Sequence, residues 1–259
     1  MKQEMMVITS QRLLAPSIYE LTLKGQLVEQ MKIPGQFLHI RVPRNDLLLR
    51  RPISINDIDS EAGTCRIIYR VEGDGTRAFS EMEEGELLDV MGPLGNGFQI
   101  STIHAGDTVY IIGGGIGIPP LYELSKQLVD LGAKPVHFLG YASKDVLYYE
   151  EEFKSLGETY ISTDDGSYGT HGHVGVMLNQ KIEQPDAVFA CGATGMLRAV
   201  EAKYIDIVAN VQLSMEQRMA CGMGACYACV CKVKDDPTGT KSLKVCDEGP
   251  IFPAGKVVL

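Results

Sequence analysis

The stretch Asp107-Thr108-Val109-Tyr110-Ile111-Ile112-Gly113-Gly114-Gly115-Ile116-Gly117-Ile118-Pro119-Pro120 decides the fold of this chain. Its apolar, β-branched run predicts a strand buried on both faces. The glycines that follow permit a tight turn and the close approach of another backbone. Two prolines then fall where a helix tolerates them, in its first turn, and Leu121 to Leu131 shows helical periodicity. A strand running through glycines into a helix opens an α/β unit that can bind an anion at the helix N-terminus. The glycine order is not G-x-G-x-x-G, so the loop alone also fits a tight connection without a ligand.

Downstream the alternation continues. Pro135–Tyr141, Thr159–Thr163 and Asp186–Cys191 read as strands, and Lys144–Leu156 and Thr194–Lys203 as helices. Alternating strand and helix predicts a parallel sheet with helices on both faces. A second glycine site, Cys191-Gly192-Ala193-Thr194-Gly195-Met196, ends a strand of the same sheet. Ligands of such sheets bind at the carboxyl ends of the strands.

Upstream, residues 1 to about 100 read as β. Ile18–Leu23, Gln36–Val42 and Thr64–Val71 are short alternating runs, and Pro34-Gly35, Glu61–Gly63 and Gly92–Gly97 separate them as turns. They predict a small antiparallel barrel, with one short helix near Gly75–Phe79. The expected fold is a β-barrel at 1–102, a parallel-sheet α/β domain at 103–213 and a small C-terminal segment at 214–259.

That last segment holds Cys221-x4-Cys226-x2-Cys229 and, sixteen residues later, Cys246. This is the plant-type ligand spacing for a [2Fe–2S] cluster. Gly222 and Gly224 would let the backbone wrap a cluster and turn its N–H groups toward the sulfurs. Zinc, which favours two short Cys or His pairs, is the alternative, with incidental buried thiols behind it. Cys231 is expected to point away from Cys229 and to be a core cysteine, not a ligand.

Composition narrows the partners. The chain of 259 residues has 24 basic and 33 acidic residues, net charge −9, with no basic tract, which argues against nucleic acid. No run reaches the roughly 18 apolar residues of a membrane span, and no secretory segment opens the chain. Seven cysteines without an export signal point to a reducing cytoplasm. His171 and His173 read as a polar loop or cap. Asp164-Asp165 reads as a turn or a ribose contact, and Glu81–Glu86 as a solvated face.

In the barrel half, Arg50-Arg51-Pro52-Ile53-Ser54-Ile55 offers a guanidinium suited to pyrophosphate and a serine suited to a flavin edge; alone it also fits an ordinary basic strand end. Taken with the two glycine sites, this stretch resembles the ferredoxin–NAD(P)⁺ reductase family. Met219–Cys231 and Ser162–Gly172 are similar to the branch of that family that serves NAD-linked dihydroorotate dehydrogenases as electron-transfer subunits. The resemblance covers essentially the whole chain.

It implies FAD on the barrel, contacted by Arg51, Pro52, Ile53 and Ser54, by Ile68, Tyr69 and Arg70, and by Gly75 and Thr76. It implies NAD at Gly114, Gly115 and Gly117 and at Cys191 and Gly192, and a [2Fe–2S] cluster on Cys221, Cys226, Cys229 and Cys246. It implies no catalytic residue acting on a pyrimidine. Electrons from dihydroorotate would reach an FMN in a partner catalytic subunit, then the cluster, FAD and NAD⁺, in a heterotetramer with two copies of each chain. The chain departs from many of those reductases in ending Lys256-Val-Val-Leu259, not on an aromatic residue over the flavin.

Two other functions compete. One is a stand-alone NAD(P)H reductase feeding a ferredoxin, oxygenase or hydrogenase. Such reductases often carry a full ferredoxin domain, whereas the segment from Ser214 onward is too short for a compact domain without a staple. The other is a zinc-stapled nucleotide sensor, which would lack flavin and iron–sulfur absorption.

Overall fold

The computed structural model describes residues 2–180 and 183–259. The first six strands are β1 (Lys2–Ala15), β2 (Ile18–Lys24), β3 (Phe37–Ile40), β4 (Arg51–Asp59), β5 (Thr64–Arg70) and β6 (Leu87–Leu94), with helix α1 (Asp74–Ser80) between the last two. They close an antiparallel barrel in the order β1-β2-β5-β4-β3-β6. Strand alternation fills it: Leu21, Leu23, Leu38, Ile40 and Ile67 point inward and are fully buried. Phe37 and His39 take the opposite face of β3, and Phe37 joins the core of the neighbouring domain.

The second half alternates β7 (Thr108–Gly114), α2 (Pro120–Asp130), β8 (Lys134–Tyr141), α3 (Glu150–Lys154), β9 (Glu158–Thr163), β10 (Thr170–His171), α4 (Val174–Gln180), β11 (Ala187–Cys191), α5 (Thr194–Tyr204) and β12 (Asn210–Ser214). The sheet order is β10-β9-β8-β7-β11-β12, with one further, C-terminal strand beyond β12. β7 pairs in parallel with both β8 and β11, so the order reverses there and a crevice opens above its carboxyl end. The cluster segment adds β13 (Val230–Lys232), β14 (Ser242–Lys244) and β15 (Ile251–Pro253). β15 runs antiparallel to β12, so this segment is tied to the sheet.

The helix expected over Lys144–Leu156 is broken. Lys144–Val146 is a 3-10 turn, Tyr149 is left-handed at φ 64°, and α3 starts only at Glu150. Tertiary contacts override the local pattern here. The Tyr149 hydroxyl hydrogen-bonds the buried Glu20 of β2 and accepts from Asn56 Nδ2 of β4 at 2.9 Å. The same seam is held by Asp57, which accepts from Lys126 Nζ at 2.5 Å and from Arg66 Nη2 at 2.7 Å. Glu123 of α2 accepts the Ile58 N–H at 3.0 Å. Burial opposes the charge on Asp57, but the two cations outweigh it and hold its carboxyl below the ordinary range.

Candidate functional site

A cavity of about 750 Å³ lies between barrel and sheet. Pro52, Ser54 and Arg70 of the barrel line it, as do Gly114, Gly115 and Gly117 after β7 and Cys191 and Gly192 after β11. The two glycine loops touch. A Cβ on Gly117 would fall 2.6 Å from the Cys191 carbonyl oxygen and 2.6 Å from Gly192 Cα, so only glycine permits the approach. Tyr148 donates its hydroxyl to the Gly115 carbonyl at 2.9 Å and fixes the loop from below. The Cys191 thiol is pushed up to about 12 by burial, so it stays protonated.

The barrel wall of the cavity is parted. The β4–β5 ladder ends at the pair Ile55↔Ile67. Beyond it, β4 continues to pair with β3 as far as Arg51, and β5 with β2 as far as Arg70. Residues 51–54 and 68–70 therefore face each other with backbone polar groups directed into the gap. Pro52 and Ser54 turn to the cavity, while Ile53 packs on the barrel core. Ile68 and Tyr69 are buried, and the Tyr69 ring stacks on Tyr19, so these two can offer a ligand only backbone.

The two adjacent arginines differ. Arg50 is locked, bidentate on Asp89 at 2.9 Å. Arg51 forms no ion pair among the described residues and lies over α1, where a Cβ on Gly75 would meet its Nε at 2.6 Å. The Thr76 hydroxyl accepts the Glu72 N–H at 3.1 Å and closes the turn into α1.

Gly222 and Gly224 have φ +71° and +78°. The Met223 N–H donates to Cys221 Sγ at 3.4 Å, the Gly224 N–H to Cys246 Sγ at 3.2 Å and the Cys246 N–H to Cys229 Sγ at 3.4 Å. The Cys221 thiol interacts with that of Cys226, and the Cys246 thiol with that of Cys229. The arrangement is two pairs; among the described residues no three Cys, His, Asp or Glu gather as they would for a single ion. At Cys221 burial works against ionisation, but the Met223 amide and Cys226 bring the thiol down to about 6. At Cys246 burial, then the Cys229 thiol, push it up to about 12.

The expected orientation of Cys231 is corrected. Cys229 lies in the turn just before β13, and Cys229 and Cys231 are buried in one apolar cluster, so the two side chains do not part to opposite faces. Their partners separate them: Cys231 directs its S–H to the Leu243 carbonyl at 3.5 Å, across the β13–β14 ladder.

The cavity also has walls that no sequence motif announced. Gly140 and Tyr141 end β8, and Met215, Glu216, Gln217 and Met219 continue from β12 toward the cysteine loop. Asp164 and His173 line the cavity too, and His173 Nδ1 accepts the Gly175 N–H at 3.2 Å in the manner of a cap.

Three family models match the chain in succession: an oxidoreductase FAD-binding domain over residues 6–98, an oxidoreductase NAD-binding domain over 111–202, and the iron–sulfur cluster binding domain of dihydroorotate dehydrogenase B over 216–258. The dihydroorotate dehydrogenase B (NAD(+)) electron transfer subunit of Enterococcus faecalis is 62% identical, over 100% of this chain and 99% of its own. That of Bacillus cereus is 47% identical, over the full length of both. The chain belongs to the family of dihydroorotate dehydrogenase B electron transfer subunits.

Among solved structures, an NADH-dependent reduced ferredoxin-NADP oxidoreductase superposes with TM-score 0.87 at 28% identity, over 98% of this chain and 90% of that one. An Amycolatopsis cytochrome P450 reductase shares the fold at TM-score 0.71 and 16% identity, over 82% of this chain and 69% of that one. No helix among the described residues is long and apolar enough to cross a membrane.

The chain thus carries the family's FAD-, NAD- and cluster-binding domains, and its residues fit the three groups. The parted β4–β5 ends suit a planar ring with hydrogen-bonding edges. The glycine loops at the reversal of strand order suit a dinucleotide. Two thiol pairs ringed by amide donors suit a two-iron cluster, in which each iron takes two protein sulfurs.

Proposed function

We propose that this chain is the electron-transfer subunit of an NAD-dependent dihydroorotate dehydrogenase, carrying electrons from an FMN-containing catalytic partner through its cluster and FAD sites to NAD⁺. The observation that carries the reading is one cavity shared by the flavin strand, both nucleotide loops and the approach to the cysteine loop. Bound flavin supplies the exchange between two-electron hydride chemistry and the one-electron steps of a cluster.

The chain's own residues bind, orient and exclude water. Arg51, free of carboxylates, takes the FAD pyrophosphate, with the first turn of α1 at Gly75 and Thr76 beside it. Backbone of residues 51–54 and 68–70 holds the ring edge, with Ser54 and Arg70 on the cavity side. Gly114, Gly115 and Gly117 carry the dinucleotide phosphates, and Cys191 and Gly192 the nicotinamide end. Met215 to Met219 screen the ring from solvent. Cys221, Cys226, Cys229 and Cys246 ligate the cluster, and the amides of Met223, Gly224 and Cys246 stabilise negative charge on the sulfurs.

The partner docks over the cysteine loop in this reading. Met223 is 49% and Tyr227 63% exposed, and Cys226 is the exposed ligand of the four. Two copies of each subunit form the complex, in a reducing cytoplasm. Purification of the native complex tests this: the account expects a second polypeptide bearing FMN in addition to FAD. A native complex whose only flavin is FAD contradicts it and favours a reductase feeding another acceptor.

A further inference from the structure

His39 stands apart from the contacts assigned so far. It lies on β3, on the face that turns away from the barrel core, and its side chain is fully buried. Neither ring nitrogen has a hydrogen-bond partner among the described residues. Most buried polar atoms in folded proteins are paired, so a ring with two orphaned nitrogens needs an explanation. An imidazole kept only to fill space would be served by a leucine without the cost of desolvating two polar atoms.

Its surroundings supply the explanation. A Cβ on Gly222 would fall 2.4 Å from His39 Nδ1, so the cysteine loop rests directly on the imidazole, and glycine is required there for room as well as for its positive φ. An imidazole ring can donate an N–H and can accept at a ring-nitrogen lone pair. In the sheet, His39 shares a rung with Pro52, which lines the flavin side of the cavity. One residue therefore has its backbone beside the flavin strand and its side chain under a cluster ligand.

We propose that His39 is a positioning residue for the iron–sulfur site: the hydrogen-bonding capacity of its ring seats the Cys221–Gly222 loop on the flavin-bearing barrel and raises the reduction potential of the cluster held there. The physical basis is local. Cluster potentials respond to hydrogen bonds and dipoles around the sulfurs. An N–H that the ring turns toward the Cys221–Gly222 backbone would favour the added negative charge of the reduced state, and a buried setting leaves it little screened. The inference rests on the cysteine assignment proposed above.

The test uses holoprotein with FAD and cluster loaded, and compares His39→Leu with His39→Gln. The readouts are iron content, flavin absorbance, the electron paramagnetic resonance spectrum of the reduced cluster and its midpoint potential. His39→Leu is expected to move the potential to a more negative value and alter the spectrum, or to lose iron while keeping FAD. His39→Gln, which retains a donor and an acceptor, is expected to return toward the parent. A His39→Leu cluster identical to the parent's overturns the proposal. So does equal damage in both variants, which would assign the role to ring shape. Iron content separates the two layers: a parent that holds its iron and a Cys226→Ser variant that loses it keep the cluster reading intact even if His39 proves silent.

Discussion

Cys231 and Arg51 show what a single residue adds beyond its motif. The spacing of Cys221, Cys226, Cys229 and Cys246 was legible in sequence because ligand spacing is a local property of the chain. The place of Cys231 was not, because it depends on β13 pairing with β14, which brings the Leu243 carbonyl to its sulfur. Replacing any of the four proposed ligands by Ser should remove most of the iron, while Cys231→Ser should keep it; iron assays on the five variants check this. Likewise, only the structure tells Arg50 from Arg51, since Asp89 lies far away in sequence on β6. A charged hydrogen bond of about 1.5–3 kcal/mol corresponds to roughly ten- to hundredfold in affinity. Arg51→Ala should weaken FAD binding by that factor, measured by flavin titration of the apoprotein; a change under twofold would remove Arg51 from the pyrophosphate site.

Among the elements, β7 and its glycines were readable because burial, turning and helix entry all fall within one short stretch. The α3 region was not: periodicity favoured one helix, but Tyr148 and Tyr149 are drawn into the seam by Gly115, Glu20 and Asn56, which no local pattern contains. The parting of β4 from β5 and the wall from Met215 to Met219 were equally hidden, since both follow from register and from where β12 points. The packing of the two glycine loops makes a sharp prediction. Gly117→Ala places a Cβ 2.6 Å from backbone on the opposite loop, where nothing flexible can yield. Overpacking of this kind costs about 1–3 kcal/mol. The KM for NADH should rise while flavin and cluster absorption stay at parental levels, as steady-state kinetics and a visible spectrum will show. An unchanged KM would mean that the two loops do not jointly hold the dinucleotide.

For the molecule as a whole, the sequence conveyed a barrel, a parallel sheet and a cysteine segment, but not how tightly they are joined. Asp57 binds Lys126 and Arg66 across the seam, Phe98 of the barrel side packs on Phe189 of β11 at 5.5 Å between ring centroids, and β15 sews the cysteine segment to β12. These contacts hold the cavity walls in one arrangement and leave the exposed end of the cysteine loop, at Cys226 and Tyr227, facing outward. In the proposed reading the residues lining the cavity hold one flavin and one dinucleotide. Oxidation of dihydroorotate needs a flavin stacked on the substrate and a general base beside the carbon acid, and the account assigns both to the partner subunit. The most direct measurement is therefore to purify this chain alone, load FAD and the cluster, and assay the two half-reactions. The account predicts NADH oxidation with an artificial electron acceptor and no dihydroorotate-dependent reduction of NAD⁺; reduction of NAD⁺ by dihydroorotate on the isolated chain would contradict it.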